Sequence, residues 1–375
     1  MSGSGPQKSP SGRSARRAAR TRGAGDKGQD GADALAAADP TVGLANRAVS
    51  GHIADLIQKI KESADKLARD HTSRGDLKIL ARTLLELRYA FKVFAPYRSH
   101  RKVTVFGSAR TLPDEPAYQQ AVRFGREIAK QGWLVVTGAA SGIMEAGHVG
   151  AGRDHSMGLN ILLPFEQAAN SVIAGDDKLV HMKYFFTRKL MFVKESHAMC
   201  LLPGGFGTLD EGLEVLTLLQ TGKRDMVPVV LLDEPGGDYW VDFQRFVEKN
   251  LLGRGMIDRD DLSLFKRTDD VADAVGEILQ FFRVYHSMRY VRSNLVLRLN
   301  RPLDETFLDQ INARFADILD GGRFTQGGPL PEEKDEPDLD RLARLIFPFN
   351  RRALGRLRQL IDCLNRESVE GSGES

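Results

Sequence analysis

Between Lys102 and Phe282, short apolar runs alternate with stretches whose apolar residues return at helical spacing. Val103–Phe106, Trp133–Thr137, Met157–Leu162, Ala198–Leu202 and Val227–Leu232 are apolar at nearly every position. Runs of that kind mark strands covered on both faces, since a strand with one wet face would alternate. Helical spacing fills Tyr118–Lys130, Gly142–Gly152 and Thr208–Gln220, and a strand at Leu262–Lys266 with a helix at Val271–Tyr285 closes the unit. Strand and helix in strict alternation predict an α/β fold, a Rossmann-like doubly wound parallel sheet.

The pattern changes on either side. Upstream, Ile53, Leu56, Ile57 and Ile60, then Leu77, Leu80, Leu84, Leu87 and Phe91, predict two helices split near Ser73-Arg74-Gly75 that pack on the following domain. Downstream, Leu295–Leu299 reads as a strand and Leu303–Leu319 as an amphipathic helix. An acidic, proline-containing loop over 327–338 follows, then a strand at Leu342–Phe347 and a helix at Arg351–Asn365 with Leu354, Leu357, Leu360, Ile361 and Leu364 on one face. This is a small C-terminal α+β appendage, with packing or subunit contact as its default role. Residues 1–45 are rich in Gly, Ser, Ala and Arg without periodic apolar positions, so a disordered tail is expected there. The resulting division is tail 1–45, helical extension 46–100, Rossmann-like domain 101–286, appendage 287–367 and a second disordered tail 368–375.

Composition narrows the function classes. Hydrophobic content of 42% and charged content of 27% fit a soluble globular protein, and a net charge of +3 lacks the basic excess of a protein whose partner is bulk nucleic acid. Charge is uneven along the chain: Arg13, Arg16, Arg17, Arg20 and Arg22 crowd the first residues. That arm has no apolar core of a secretory signal, and no run of about 18 apolar residues exists to span a membrane, so a cytoplasmic protein is expected. Cys200 and Cys363 form no disulfide or zinc pattern, and Cys200 falls inside an apolar strand. The eight histidines make no tight pair, so no metal site is expected.

Ligands of a doubly wound sheet bind beyond the carboxyl ends of its strands. Four glycine-bearing turns fall at such ends: Phe106–Arg110, Thr137–Gly142, Pro203–Glu211 and Asp233–Gly237. A glycine turn entering a helix offers backbone N–H groups at the positive end of the helix dipole, which suits a phosphate. Gly204, Gly205 and Gly207 leave the third turn bare, and Thr208 there either caps the helix or donates to the anion. No Gly-Lys-Ser/Thr follows, and Gly138-Ala139-Ala140-Ser141-Gly142 lacks the dinucleotide spacing. Glu211, one turn into its helix, reads as a general base or a stabiliser of developing positive charge, or equally as ordinary helix-start charge. Arg188 and Lys189, just after Tyr184-Phe185-Phe186, are either solvated or aimed at a bound anion.

Thr187-Arg188-Lys189 followed by Pro203-Gly204-Gly205-Phe206-Gly207-Thr208-Leu209-Asp210-Glu211 resembles the paired signature of the LOG ("lonely guy") family, with Arg188 and Glu211 at the family's interval. The resemblance covers about 102–282. It implies a Rossmann-like, usually dimeric or higher homo-oligomeric enzyme that hydrolyses the N-glycosidic bond of nucleoside 5′-monophosphates, either AMP-like or cytokinin riboside monophosphate, to free base and ribose 5-phosphate. It implies no metal and no redox cofactor. By position it makes Arg188 and Glu211 the catalytic pair. Lys189, Gly204, Gly205, Phe206, Gly207, Thr208 and Thr217 match ligand contacts, with the Gly107-Ser108 turn, Glu166 and Asn170 near the substrate. Ala140 departs from the family, standing where many relatives carry glycine. The alternative function is a non-catalytic nucleotide sensor or carrier, which has no need of Glu211. Lysine decarboxylation, a label often attached to this motif, calls for a Schiff-base lysine that no motif here identifies.

Overall fold

The computed structural model describes residues 51–162, 169–334 and 336–366. The predicted tails lie outside them. Residues up to 73 and residues from 74 onward form two units. In the first, α1 (Gly51–Arg69) is a helix of 19 residues with Ile53, Leu56, Ile57 and Ile60 at the spacing of one face.

The second unit is built on a seven-stranded parallel sheet of β1 (Lys102–Phe106), β2 (Leu134–Thr137), β3 (Ser156–Ile161), β4 (Leu179–Met182), β5 (Ala198–Leu201), β6 (Val229–Leu232) and β7 (Lys266–Thr268). The strands follow the order β4-β3-β2-β1-β5-β6-β7. β1, β2, β5 and β6 are buried along their whole length, as their unbroken apolar character requires. Val103, Val105, Val135 and Cys200 pack under α3 (Pro116–Lys130), α4 (Ile143–Ala151) and α8 (Val271–Phe281). On the opposite face Phe106, Val136, Met199 and Leu201 pack under α2 (Arg74–Phe94), α5 (Phe185–Glu195) and α6 (Phe206–Gln220). α3 and α4 meet backbone to backbone: a Cβ on Gly150 would stand 2.0 Å from the Val122 carbonyl oxygen, and one on Gly125 2.3 Å from that of Gly147.

The chain runs outward from β1 to β4, then returns to place β5 on the other side of β1. That reversal opens a crevice beyond the carboxyl ends of β1 and β5, the position where such sheets bind ligands.

After α8 come β8 (Tyr285–Val291), β9 (Asn294–Leu299), α9 (Glu305–Arg314), β10 (Thr325–Gly327), β11 (Ala343–Phe347) and α10 (Leu354–Arg366). Their strands form an antiparallel sheet in the order β10-β11-β9-β8. Leu297, Phe347, Leu357 and Leu360 belong to the same apolar cluster as Phe192 and Leu201, so the appendage shares a core with one face of the parallel sheet.

Several elements differ from the sequence pattern. The helix expected to reach Tyr285 ends at Phe281, because the N–H groups of Val284 and Tyr285 donate to Asn365 Oδ1 on α10 and the chain leaves as β8. The strand expected at 262–266 begins only at Lys266; Arg259–Leu264 is a 3₁₀ turn closed by the reciprocal Asp258–Asp261 cap. The helix expected to reach Leu319 stops at Arg314 and tightens into a 3₁₀ turn at Ala316–Ile318. β4 and the wholly exposed β10 are short and carry no legible period.

Candidate active site

Turns at the ends of β1, β2, β3 and β5 enclose a cavity of about 630 Å³ in the crevice. Its floor joins two of the predicted glycine turns. The Ser108 N–H donates to the Pro203 carbonyl at 3.0 Å, and the Ile143 N–H donates to the Ser108 carbonyl at 2.9 Å. Gly204 sits in the tightest place: a Cβ there would lie 2.2 Å from Thr208 Oγ1 and 2.9 Å from Ser108 N. A Cβ on Gly205 or Gly207 would meet nothing within 4 Å. Packing therefore explains Gly204, whereas the two bare glycines leave room for something to approach the backbone.

Two helices start at this floor without a side-chain cap. α4 follows Gly142 (φ 67°), and α6 follows Gly205. Apart from the Ile143 N–H, which the Ser108 carbonyl takes, the first N–H groups of these helices and their dipoles suit an anion. Thr208 is the third residue of α6, so its hydroxyl does not cap that helix; it lies against Gly204 instead. Ala139 takes the left-handed φ of 58° in the second turn. A buried network holds that turn. His148 Nε2 lies 3.0 Å from the Met157 carbonyl and 3.1 Å from Thr137 Oγ1, and Asn170 Nδ2 lies 3.2 Å from both His148 Nδ1 and the Ala140 carbonyl. Burial pushes His148 down to about 4, so the ring stays neutral and serves as a spacer.

Glu211 and Arg188 form the charged wall. Burial pushes the Glu211 carboxyl up to about 7, the pull of Lys189 and Arg188 offsetting only part of that cost. Lys189 Nζ stands 3.7 Å from Glu211 and binds Asp210 at 2.8 Å and Glu214 at 2.7 Å, which holds α5 against α6. The Arg188 guanidinium lies over Phe185 at 5.1 Å and Phe192 at 5.8 Å. Its Nη1 would be 3.5 Å from a Cβ on Gly138, so it reaches across to the second glycine turn. A carboxyl that titrates near neutrality, facing a cavity with an arginine and two helix starts, has the means to move a proton beside a bound anion.

Of the residues singled out in the sequence, Gly107, Ser108, Arg188, Gly205, Phe206, Gly207, Thr208 and Glu211 line the cavity. Gly204 supports its floor and Lys189 braces Glu211 from the side. Asn170 is buried behind the second turn and orders it. Thr217 is exposed on α6, donates to the Leu213 carbonyl, and is not among the lining residues. Glu166 lies outside the described residues. The fourth glycine turn is structural: Asp233 accepts from the Trp240 N–H at 3.0 Å and so ties down the start of the following helix, α7 (Tyr239–Phe246). Asn160, Arg110, Met144 and Phe185 line the cavity without having been expected as ligand contacts. Asn160 left a trace in the sequence, a buried amide at the carboxyl end of an otherwise apolar strand. Among the described residues, no group of three or more His, Cys, Asp or Glu is placed to hold a metal ion, and no helix is long and apolar enough to cross a membrane.

Fold and site together define a Rossmann-like α/β protein whose switch-point crevice is lined by two helix starts and an Arg–Glu pair. A protein-family profile described as "Possible lysine decarboxylase" matches residues 137–278. A probable cytokinin riboside 5′-monophosphate phosphoribohydrolase of Oryza sativa subsp. japonica is 30% identical over 189 residues, covering 48% of this chain and 68% of that protein. A cytokinin riboside 5′-monophosphate phosphoribohydrolase of Arabidopsis thaliana is 36% identical over 156 residues, covering 40% and 68% respectively. Among solved structures, the molybdenum cofactor carrier protein of Chlamydomonas reinhardtii aligns over 48% of this chain and 97% of its own, with 22% identity and a TM-score of 0.34. The chain belongs to the LOG family.

Proposed function

We propose that the protein hydrolyses the N-glycosidic bond of a nucleoside 5′-monophosphate, releasing the free base and ribose 5-phosphate. The observation that carries this reading is Glu211, a buried carboxyl raised to about 7 within a cavity built to receive an anion. The 5′-phosphate occupies the helix starts at Gly142 and Gly205, with Ser108 and Thr208 beside it. The ribose then lies toward Glu211. As the C1′–N bond breaks, positive charge grows on the ribose, and ionised Glu211 stabilises it while taking a proton from the attacking water. The water oxygen bonds to C1′, and the carboxyl returns the proton so that the base leaves neutral. Arg188 holds the phosphate or balances charge on the departing base. The family profile's description names lysine decarboxylation, which a pyridoxal enzyme performs through a lysine amine; the cations lining this cavity are Arg110 and Arg188.

A panel of nucleoside 5′-monophosphates, cytokinin riboside monophosphates included, tests the reading by release of ribose 5-phosphate. At least one member should turn over. Glu211 has to be ionised to receive the proton, so kcat/KM should rise with pH and level off above about 7. Tight binding without turnover of any member would replace the hydrolase by a nucleotide sensor or carrier.

We also propose a homodimer. Phe206 is 93% exposed at the rim of the cavity, and Phe185, Phe186 and Leu190 on α5 and Leu213 on α6 are exposed as well. Such side chains are rarely left grouped in water, and a second copy is the occupant the family resemblance implies. Light scattering should give twice the chain mass, and Phe206→Glu should shift the protein toward the monomer. A wild-type monomer at micromolar concentration would end this reading.

A further inference from the structure

α2, which precedes the sheet and lies outside the segment that carries the family resemblance, buries one carboxylate. Glu86 is 4% exposed. Its Oε1 accepts from the backbone N–H of Lys183 at 2.8 Å and from Arg82 Nε at 2.7 Å, and its Oε2 accepts from Thr187 Oγ1 at 2.8 Å. Lys183 and Thr187 bracket the first turn of α5, whose cap residue, Tyr184, makes no side-chain cap of its own. A carboxylate at that end fixes the chain just ahead of the cap residue through the Lys183 N–H and faces the positive end of the helix dipole. A helix packed against a helix needs only an apolar residue at such a position. A buried carboxylate is costly there unless its partners require it.

The partners are the residues that aim Arg188. Thr187 immediately precedes it, and the Arg188 N–H closes the first turn of α5 onto the Tyr184 carbonyl at 3.3 Å. We propose that Glu86 is a positioning residue: it fixes the first turn of α5 and so sets the direction from which Arg188 enters the cavity. The inference rests on the reading of Arg188 as part of the machinery that handles the nucleotide.

A double-mutant cycle tests it on the full chain. Glu86→Ala, Arg188→Lys and the double variant are compared with the wild type for kcat, KM and equilibrium binding of AMP, with Glu86→Gln as the conservative variant. Glu86→Ala should lower kcat about tenfold or more with KM changed less than about threefold, because a small misplacement of a catalytic group is felt mainly in the reacting state. Glu86→Gln, which keeps an acceptor for the Lys183 N–H, should retain most of the activity. On the Arg188→Lys background, Glu86→Ala should cost less than about twofold, since the two residues act through one path. The same loss on both backgrounds would mean that Glu86 only supports the fold, and the proposal fails. Should Glu86→Ala not fold, Thr187→Val, which removes one of the two anchors on α5, carries the same cycle. If the wild type binds nucleotides without cleaving them, the hydrolase reading fails alone. The cycle is then read on the AMP dissociation constant, where coupling upholds the proposal and additivity overturns it. If no nucleotide binds, both fall.

Discussion

Glu211→Gln is expected to cut turnover of the accepted nucleotide about a thousandfold while nucleotide binding survives, the scale on which a positioned acid–base group acts. It should also stabilise the protein above neutral pH. The Glu211 carboxyl titrates near 7 in the fold against an ordinary 4.5, so the folded state holds the proton more tightly than the unfolded chain does. Ionising it as pH rises from 4.5 through 7 therefore costs stability, and the full cost is present above about 7. Glutamine has no such ionisation, and Lys189 keeps Asp210 and Glu214 as partners. The variant should be more stable than wild type at pH 8 by up to about 3 kcal/mol. The difference should close below about pH 4.5. Initial rates together with melting curves at pH 5 and 8 separate the two claims. Unchanged turnover would remove Glu211 from the chemistry, and equal melting at pH 8 would remove the cost of burying it.

The sequence showed the parallel sheet well because burial on both faces leaves unbroken apolar runs such as Val103–Phe106 and Ala198–Leu201. It hid β8, in which only Tyr285, Met288 and Val291 are buried, a spacing without the two-residue period of a strand, and whose start is decided by Asn365, some 80 positions away in the chain. The glycine turns were legible as a group, but their uses were not. Gly204 is a steric necessity, Gly205 and Gly207 are free space, and the Asp233–Gly237 turn anchors the start of a helix. The raised Glu211 carboxyl could not be read from spacing either, since it depends on how far α6 is covered by its neighbours. Asn160 and Arg110 reach the cavity because β3 and the turn after β1 end at the same edge of the sheet, which is a property of strand order. Glu86 gave no signal, because its pairing with Arg82 reads as an ordinary i,i+4 helix pair and its partners on and before α5 lie about a hundred positions away.

Glu333→Ala should be the most damaging single change in the C-terminal sheet, costing about 3–5 kcal/mol in urea unfolding. Glu333 is 1% exposed and lies between Arg298 on β9 and Arg344 on β11, themselves 3% and 0% exposed. Its Oε1 accepts from Arg298 Nε at 2.8 Å, and its Oε2 accepts from Arg344 Nε at 3.1 Å and from the Leu330 N–H at 3.0 Å. Burial pushes the carboxyl up, but these bonds outweigh it and hold Glu333 below its ordinary value. Its stabilisation is therefore present above pH 4.5 and lost as pH falls through the lower folded value. Removing it leaves Arg344 buried with only carbonyl partners, and Arg298 with Glu336. Most of the loss is this orphaned charge rather than the net worth of the pair. Replacing all three together, as Arg298→Met, Glu333→Leu and Arg344→Met, should accordingly recover stability to within about 1 kcal/mol of wild type. Because the appendage shares its core with the parallel sheet, the Glu333→Ala loss should appear in one cooperative transition of the whole unit. None of the three residues lines the cavity, so kcat below that transition should be unchanged. A separate early transition would show instead that the sheet of β8 to β11 unfolds on its own.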